Sequence, residues 1–151
     1  NHAEDKAVFV DLTFIPLLEK IAGAVKSLKK VIVLTDKAHI PQTTLPNAVA
    51  YEDWLDEADG DFAWKAFDEG TAAGMCYTSG TTGDPKGVVY SHRSNVLHAM
   101  IAAMPDAMGL SSRDTILPVV PMFHANACGL GQSGQMIGAQ LVMPGCKMDG
   151  A

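Results

Sequence analysis

Basic residues are scarce in this sequence, and they are scattered along it. Its 151 residues include 11 Lys and Arg against 17 Asp and Glu, which gives a formal net charge of −6 at pH 7. Binding to a nucleic acid backbone needs clustered basic side chains. The densest basic run, residues 26–30 (KSLKK), carries only three positive charges. The shortage of positive charge therefore argues against nucleic acid as a partner.

Cysteine is also scarce, and long apolar runs are absent. Cys76, Cys128 and Cys146 are widely separated and form neither a CxxC pair nor a zinc-binding pattern. Free thiols in a reducing compartment are therefore the simplest interpretation. No stretch approaches the roughly 18 apolar residues of a membrane-spanning helix, and no secretory leader is recognisable. These absences predict a cytoplasmic protein without a transmembrane segment.

Short apolar segments alternate with helix-like segments, which predicts an α/β fold. The predicted strands are residues 7–11, 31–35, 72–79, 88–90, 114–123 and 141–145, and the predicted helices are residues 14–28, 51–58, 92–104 and 125–140. The apolar strands are continuous rather than alternating, which indicates a mainly parallel sheet flanked by helices on both faces. The length suits one domain or part of one.

A polar segment, residues 78–87 (TSGTTGDPKG), interrupts this pattern directly after a predicted strand. Its glycines permit backbone conformations in which successive N–H groups converge on an anion. Its hydroxyl side chains can donate further hydrogen bonds, and Lys86 adds a movable positive charge. The segment therefore predicts a polyphosphate site, and hydroxyl groups also ligate the Mg²⁺ that accompanies ATP. A surface loop that is merely polar is the alternative.

The spacing in this loop does not fit the Walker A motif, G-x-x-x-x-G-K-[ST]. Gly83 follows Gly80 too closely, and Lys86 precedes Gly87 rather than a hydroxyl residue. An ordinary P-loop kinase or ATPase is therefore disfavoured.

Residues 77–94 (YTSGTTGDPKGVVYSHRS) closely resemble the phosphate-binding signature of the adenylate-forming superfamily. Its members are acyl-CoA synthetases, aryl-CoA ligases, luciferases and the adenylation domains of peptide synthetases. A second match, residues 121–127 (PMFHANA), follows at the spacing that the family uses. VVYSHRS and PMFHANA together are most similar to medium- and long-chain fatty-acyl-CoA ligases. The resemblance covers most of the chain and implies part of the N-terminal domain of an acyl-CoA synthetase-like fold.

The resemblance implies two half-reactions, with ATP and coenzyme A as co-substrates and Mg²⁺ as cofactor. A carboxylic acid, in these ligases a fatty acid, attacks the α-phosphate of ATP to form an acyl-adenylate and pyrophosphate. The thiol of coenzyme A then displaces AMP. A carboxylate is already ionised near neutral pH, so the first step needs no general base. The catalyst has to stabilise charge that grows on the departing pyrophosphate.

The resemblance also implies roles for the residues that match its motifs. Thr78 would be a Mg²⁺ ligand, and His124 would line the junction of acyl group, α-phosphate and coenzyme A. The residues that would surround the β- and γ-phosphates are Ser79, Gly80, Thr81, Thr82, Gly83 and Lys86. From residue type alone, a histidine after an apolar run is more often a core residue than a member of a site.

One position departs from the pattern of the fatty-acyl ligases. In related long-chain ligases the residue after HxNA is often Trp, which gates the acyl tunnel, whereas this sequence has Cys128. A smaller side chain implies a less obstructed or differently shaped tunnel, so no acyl chain length is predicted. Aryl acids and short sulfur-containing acids stay open as substrates. The thiol itself is expected to be an inert small group.

Two histidines on the predicted helix 92–104 are candidate metal ligands by residue type. His92 and His98 are separated by about 600° of helical rotation and so do not share a face. A metal site on this helix is therefore not predicted.

Several parts that the superfamily needs do not occur in the sequence. They are an acidic Mg²⁺ ligand in a Tyr-Gly-x-Thr-Glu context, a ribose-binding Asp motif, a hinge, and a mobile C-terminal domain with its catalytic Lys. We therefore expect residues 1–151 to be a fragment of the large N-terminal domain of a longer enzyme, inactive alone. Similar fatty-acyl ligases are often homodimers. The rival interpretations are a phosphotransferase with a non-Walker loop and a non-catalytic binding module.

Overall fold

The computed structural model of the chain describes residues 2–79, 83–122 and 124–143. The chain divides into two units, Asn1–Trp64 and Lys65–Ala151. Within the described residues the strands form three small sheets, of which two are parallel and one is antiparallel. The predicted α/β class with parallel strand pairing is confirmed, and the antiparallel pair is a departure from it.

A parallel sheet lies at the centre of the N-terminal unit. β1 (Ala7–Val10) pairs with β2 (Lys30–Val33), and β2 pairs on its other side with β3 (Ala48–Ala50). The central strand is β-branched and buried, as its continuous apolar run predicts. The buried core cluster of this unit consists of Val10, Ile15, Val31, Val33 and Leu45.

Helix α1 (Ile15–Ala22) is shorter than the helix predicted over residues 14–28. It ends at Gly23, and the following turn is closed by a hydrogen bond from the Ala24 N–H to the Ile21 carbonyl at 2.9 Å. Glycine loses more backbone entropy in a helix than any other residue. The apolar spacing therefore continues past the point at which the backbone leaves the helix.

Strand β3 was not predicted from the sequence. The strand is three residues long and is followed directly by α2 (Tyr51–Asp56), close to the helix predicted over residues 51–58. Such a short segment carries too little alternation to indicate a strand. Its extended conformation is set by its hydrogen bonds to β2.

An antiparallel hairpin opens the secondary structure of the C-terminal unit. It consists of β4 (Ala72–Thr78) and β5 (Lys86–Ser91). Helix α3 (His92–Ala103) begins directly after β5. Ser91 caps this helix, because its side chain accepts a hydrogen bond from the Ser94 N–H at 3.1 Å.

Within the described residues the last two strands are shorter than predicted; residues 123, 144 and 145 of the two predicted strands lie outside the described residues. β6 (Thr115–Ile116) pairs in parallel with β7 (Gln140–Leu141). The strand predicted over residues 114–123 stops early because Pro118 and Pro121 lack the N–H that a ladder needs.

The single helix predicted over residues 125–140 is wrong, because the structure has two helices there. They are α4 (Ala125–Cys128) and α5 (Leu130–Ile137), separated by Gly129 with φ of 75°. Gly138, at φ of 79°, ends α5. Within the described ranges, no helix combines the length and apolarity that crossing a bilayer requires.

Candidate functional site: a phosphate-loop hairpin and a left-handed turn

The polar loop connects the two strands of the β4–β5 hairpin. Thr78 is the last residue of β4 and pairs with Lys86, the first residue of β5. Residues directly opposite each other in an antiparallel pair have Cβ atoms about 4.5–5.5 Å apart. The predicted Mg²⁺ ligand and the predicted lysine therefore start from neighbouring backbone positions, and both side chains are exposed.

The described part of the loop is open to ligands. Ser79 follows β4 directly and is exposed. Gly83 has φ of 101°, a conformation that L side chains rarely adopt, and among the described residues no atom outside its chain neighbours lies within 4 Å of where its Cβ would be. Glycine is therefore required there for backbone conformation rather than for packing. The predicted site residues Gly80, Thr81 and Thr82 lie outside the described residues.

The charged and aromatic side chains at the other end of β5 make local contacts. Arg93 Nη1 lies 3.2 Å from Glu69 Oε1, and the ring centroids of Phe67 and His92 are 4.6 Å apart. These contacts hold the segment before β4 against the start of α3. They also leave Arg93 and His92 at the opposite end of the strand from Lys86.

His124 begins a turn with unusual backbone conformation. The His124 N–H donates to the Pro121 carbonyl at 3.0 Å, and the His124 carbonyl accepts from the Ala127 N–H at 2.9 Å. Ala125, Ala127 and Cys128 have φ of 46°, 51° and 56°, in the left-handed region. Left-handed helical geometry costs an L-residue roughly 1–2 kcal/mol. Strain of this kind is concentrated at binding and catalytic sites.

A cavity of about 410 Å³ lies beside this turn. Tyr90 of β5 and Ala125, the neighbour of His124, both line it. The cavity therefore brings the strand that begins with Lys86 next to the turn that begins with His124. The polar or sulfur-containing side chains that line it are Tyr90, Ser94, Asn95, His98, Cys128 and Gln132.

The sequence analysis did not find the contribution of α3 to this cavity. Ser94, Asn95 and His98 are one, three and four positions apart, so they share a face of the helix. The spacing of these three polar residues is the sequence signal that indicates this contribution of α3. The predictions considered His98 only as a metal partner of His92, and its partner in the structure, Cys128, is 30 residues away.

Comparison with known proteins identifies the family. The model of the AMP-binding enzyme family matches residues 1–149. The chain belongs to the AMP-binding enzyme family. The superfamily resemblance predicted from the phosphate-loop and PMFHANA motifs is thereby confirmed.

The curated relatives of this AMP-binding family member include CoA ligases for several acids. It is 51% identical over 151 residues to the medium-chain-fatty-acid–CoA ligase of Ectopseudomonas oleovorans, covering 100% of this chain and 28% of that protein. It is 43% identical over 150 residues to the 3-methylmercaptopropionyl-CoA ligase of Ruegeria lacuscaerulensis, covering 99% of this chain and 28% of that protein. It is 46% identical over 152 residues to the long-chain-fatty-acid–CoA ligase of Thermus thermophilus, covering 100% of this chain and 26% of that protein.

The chain thus spans about a quarter of the length of these relatives. Among solved structures, the anthranilate CoA ligase in complex with anthranoyl-AMP superposes with a TM-score of 0.79 at 23% identity. The superposition covers 95% of this chain and 27% of that one. At this identity the likeness shows a shared fold.

Proposed function

We propose that the chain is the phosphate-binding part of a longer AMP-forming acid–thiol ligase, which converts a fatty acid to its acyl-CoA. The observation that carries the proposal is the pairing of Thr78 with Lys86 at the two ends of the polar loop. In a member of the AMP-binding enzyme family, this pairing holds a hydroxyl and an ammonium group on either side of a glycine-rich turn.

The proposed reaction has two steps. A carboxylate oxygen bonds to the α-phosphorus of ATP, and the bond from that phosphorus to the pyrophosphate oxygen breaks. The sulfur of coenzyme A then bonds to the acyl carbon, AMP leaves, and the thiol proton passes to solvent. Lys86 and Ser79 are exposed and have the donor groups that stabilise charge on the departing pyrophosphate.

This loop can supply a small share of the ligands of a Mg²⁺ ion. The Thr78 hydroxyl is exposed at the end of β4. Among the residues that the structure describes, no group of three His, Cys, Asp or Glu side chains is placed to hold a metal. Mg²⁺ bound with a nucleotide takes its ligands from phosphate oxygens, water and one or two carboxylates, so the Thr78 hydroxyl would be one ligand among several. The ion would neutralise phosphate charge when bound.

We propose that His124 lies where the acyl group, the α-phosphate and coenzyme A meet. The left-handed turn that follows it and the cavity beside that turn support this role. Both features belong to the C-terminal unit, which also carries the phosphate loop.

The substrate proposal is a fatty acid, because medium- and long-chain-fatty-acid–CoA ligases are among the relatives. A 3-methylmercaptopropionyl-CoA ligase is also among them, and Cys128 adds a small side chain to the cavity wall. A short sulfur-containing acid is therefore the second candidate. A cytoplasmic location and a homodimer stay predictions from the sequence analysis.

The test uses the full-length protein and a panel of acids: butyrate, decanoate, palmitate, 3-methylmercaptopropionate and benzoate. We expect acid-dependent ATP–pyrophosphate exchange and AMP as the nucleotide product, with decanoate or palmitate preferred. ADP as the product would instead identify a phosphotransferase. A folded full-length protein without exchange on any acid would support the non-catalytic binding module.

A further inference from the structure

We propose that His98 is a positioning residue that fixes the left-handed turn at residues 124–129 and thereby the place of His124. The inference rests on the proposed function, because it concerns the residue assigned to the junction of the substrates. It adds a role for a side chain that matches neither of the two family motifs.

The first observation is a hydrogen bond from α3 to the end of the turn. His98 Nε2 lies 3.1 Å from the carbonyl oxygen of Cys128. Because a carbonyl oxygen can only accept, Nε2 carries the proton and donates. At its other end the turn is held by the bond from the His124 N–H to the Pro121 carbonyl at 3.0 Å. Both ends of the turn are therefore fixed.

The second observation is a close approach between the imidazole ring and the backbone. A Cβ at Gly129 would lie 2.7 Å from His98 Cδ2 and 3.0 Å from His98 Nε2. Gly129 also has φ of 75°. The backbone conformation thus favours glycine here, and a Cβ would in addition force the imidazole ring to shift. The ring contacts the backbone at the residue that separates α4 from α5.

The third observation is a second anchor at the next residue of α3. The Ala99 carbonyl accepts a hydrogen bond from Ser133 Oγ at 3.2 Å, and both residues are buried. The Ser133 N–H in turn donates to the Gly129 carbonyl at 2.9 Å. Consecutive residues of α3 therefore hold the end of the turn and the first turn of α5.

These contacts connect the two motifs through one continuous path. Lys86 begins β5, β5 ends at the residue that caps α3, and His98 of α3 holds the turn that begins with His124. Strands and helices are more rigid than loops, so side chains and turns that they hold keep their positions. His98 contacts Cys128 and Gly129, and it affects the proposed reaction by holding these two residues in place.

The experiment compares His98→Leu with His98→Gln in the full-length protein. Leucine removes the donor at similar size, whereas the glutamine amide can still donate to the Cys128 carbonyl. His39→Leu is the matched control, because His39 makes its contact with Asp36 on the surface of the N-terminal unit. Hydrogen–deuterium exchange over residues 124–133 is measured, together with kcat and with separate KM values for the acid and for ATP.

We expect the amides of residues 124–133 to exchange about 5-fold faster in His98→Leu, the change that corresponds to the net worth of one hydrogen bond. Because misplacing a reacting group lowers productive binding, kcat/KM for the acid should fall about 10-fold. KM for ATP should change less than KM for the acid, since the residues predicted to surround the β- and γ-phosphates lie on the hairpin loop. His98→Gln should recover most of both effects, and His39→Leu should match the wild type.

Equal losses in His98→Gln and His98→Leu, or parallel changes in the KM of acid and ATP, would overturn the proposal. If His98→Leu does not fold, the double-mutant cycle of His98→Ala and Gly129→Ala replaces it. Relief of the close approach predicts that Gly129→Ala is less destabilising in the His98→Ala background, and strict additivity would contradict the contact. A wild-type protein without ligase activity would refute the proposed function, while the exchange data would still decide the role of His98.

Discussion

The side chains that carry most of the proposed chemistry are exposed and lie at the ends of two strands. Lys86 and Thr78 have no burial to hold them in place, and their positions are set by the register of the hairpin. His124 is also exposed, and its position is set by a strained backbone turn. In both cases the side chain supplies the chemistry and the backbone supplies the geometry.

The first prediction concerns the lysine of the phosphate loop. Lys86→Ala in the full-length protein should lower the rate of acid-dependent ATP–pyrophosphate exchange about 10²–10³-fold, the usual effect of losing one donor aimed at developing charge. The unfolding midpoint should stay near that of the wild type, because the side chain is exposed.

Lys37→Ala is the matched control for this substitution. Lys37 is exposed and lies in the other unit of the chain, so its loss should leave the exchange rate unchanged. An exchange rate for Lys86→Ala within 2-fold of the control would favour a loop that is merely structural.

The motif residues and His98 differ in how far the sequence alone predicts them. The motif residues could be named as candidates because the chemistry of glycines, hydroxyls and a lysine does not depend on knowing the fold. The role of His98 could not, because its hydrogen-bond partner Cys128 is 30 residues away. Nothing local in the sequence indicates such a contact.

Among the elements, the buried strand β2 and the capped helix α3 were the most predictable. Their signals are local: a β-branched apolar run in β2, and a serine that caps the N-terminus of α3. β3 and β6 were predicted poorly because their extent depends on pairing with a neighbour. The antiparallel direction of β4 and β5 was likewise a property of the pair rather than of either segment.

Helix α1 is joined to the segment before β3 by one carboxylate. Glu19 Oε1 accepts a hydrogen bond from the Thr44 N–H at 3.0 Å and one from the Thr43 hydroxyl at 2.7 Å. These bonds, the backbone one first, hold the pKa of Glu19 below its ordinary value. A carboxylate with a lower pKa in the folded state contributes stability above its unfolded pKa, and that stability is lost as pH falls through the folded pKa.

The second prediction follows from the lowered pKa of Glu19. The ordinary pKa of a glutamate is about 4.3, so the contribution of Glu19 should be lost as pH falls below that value. In Glu19→Gln the unfolding midpoint should therefore decline less steeply between about pH 5 and pH 3 than in the wild type. Thermal unfolding followed by circular dichroism across this range measures the slopes.

A partial variant makes the test specific to the hydrogen bonds. Thr43→Val removes one donor and leaves the backbone donor of Thr44, so its slope should lie between those of the wild type and Glu19→Gln. Identical slopes for all three proteins would show that Glu19 does not link the helix to this segment in solution.

On the scale of the whole molecule, much apolar surface of the described chain is exposed. Met75 and Val89 pair across the hairpin and are 52% and 54% exposed, and Val96 and Ile101 of α3 are 56% and 57% exposed. Soluble proteins rarely leave large contiguous apolar patches uncovered. A two-stranded hairpin is also marginally stable in water without further packing. We therefore expect the β4–β5 hairpin to depend on other parts of a longer protein.

The third prediction compares the isolated 151-residue chain with the full-length protein. The amides of residues 72–78 and 86–91 should exchange with deuterium rapidly in the isolated chain and slowly in the full-length protein, because further packing would stabilise the hairpin only in the latter. The isolated chain should also bind the dye ANS and give no acid-dependent ATP–pyrophosphate exchange.

The amides of β2 are the internal control, since Val31 and Val33 are fully buried within the N-terminal unit and should be protected in both proteins. Slow exchange in the hairpin of the isolated chain, together with acyl-adenylate formation, would show that these residues suffice for the first half-reaction.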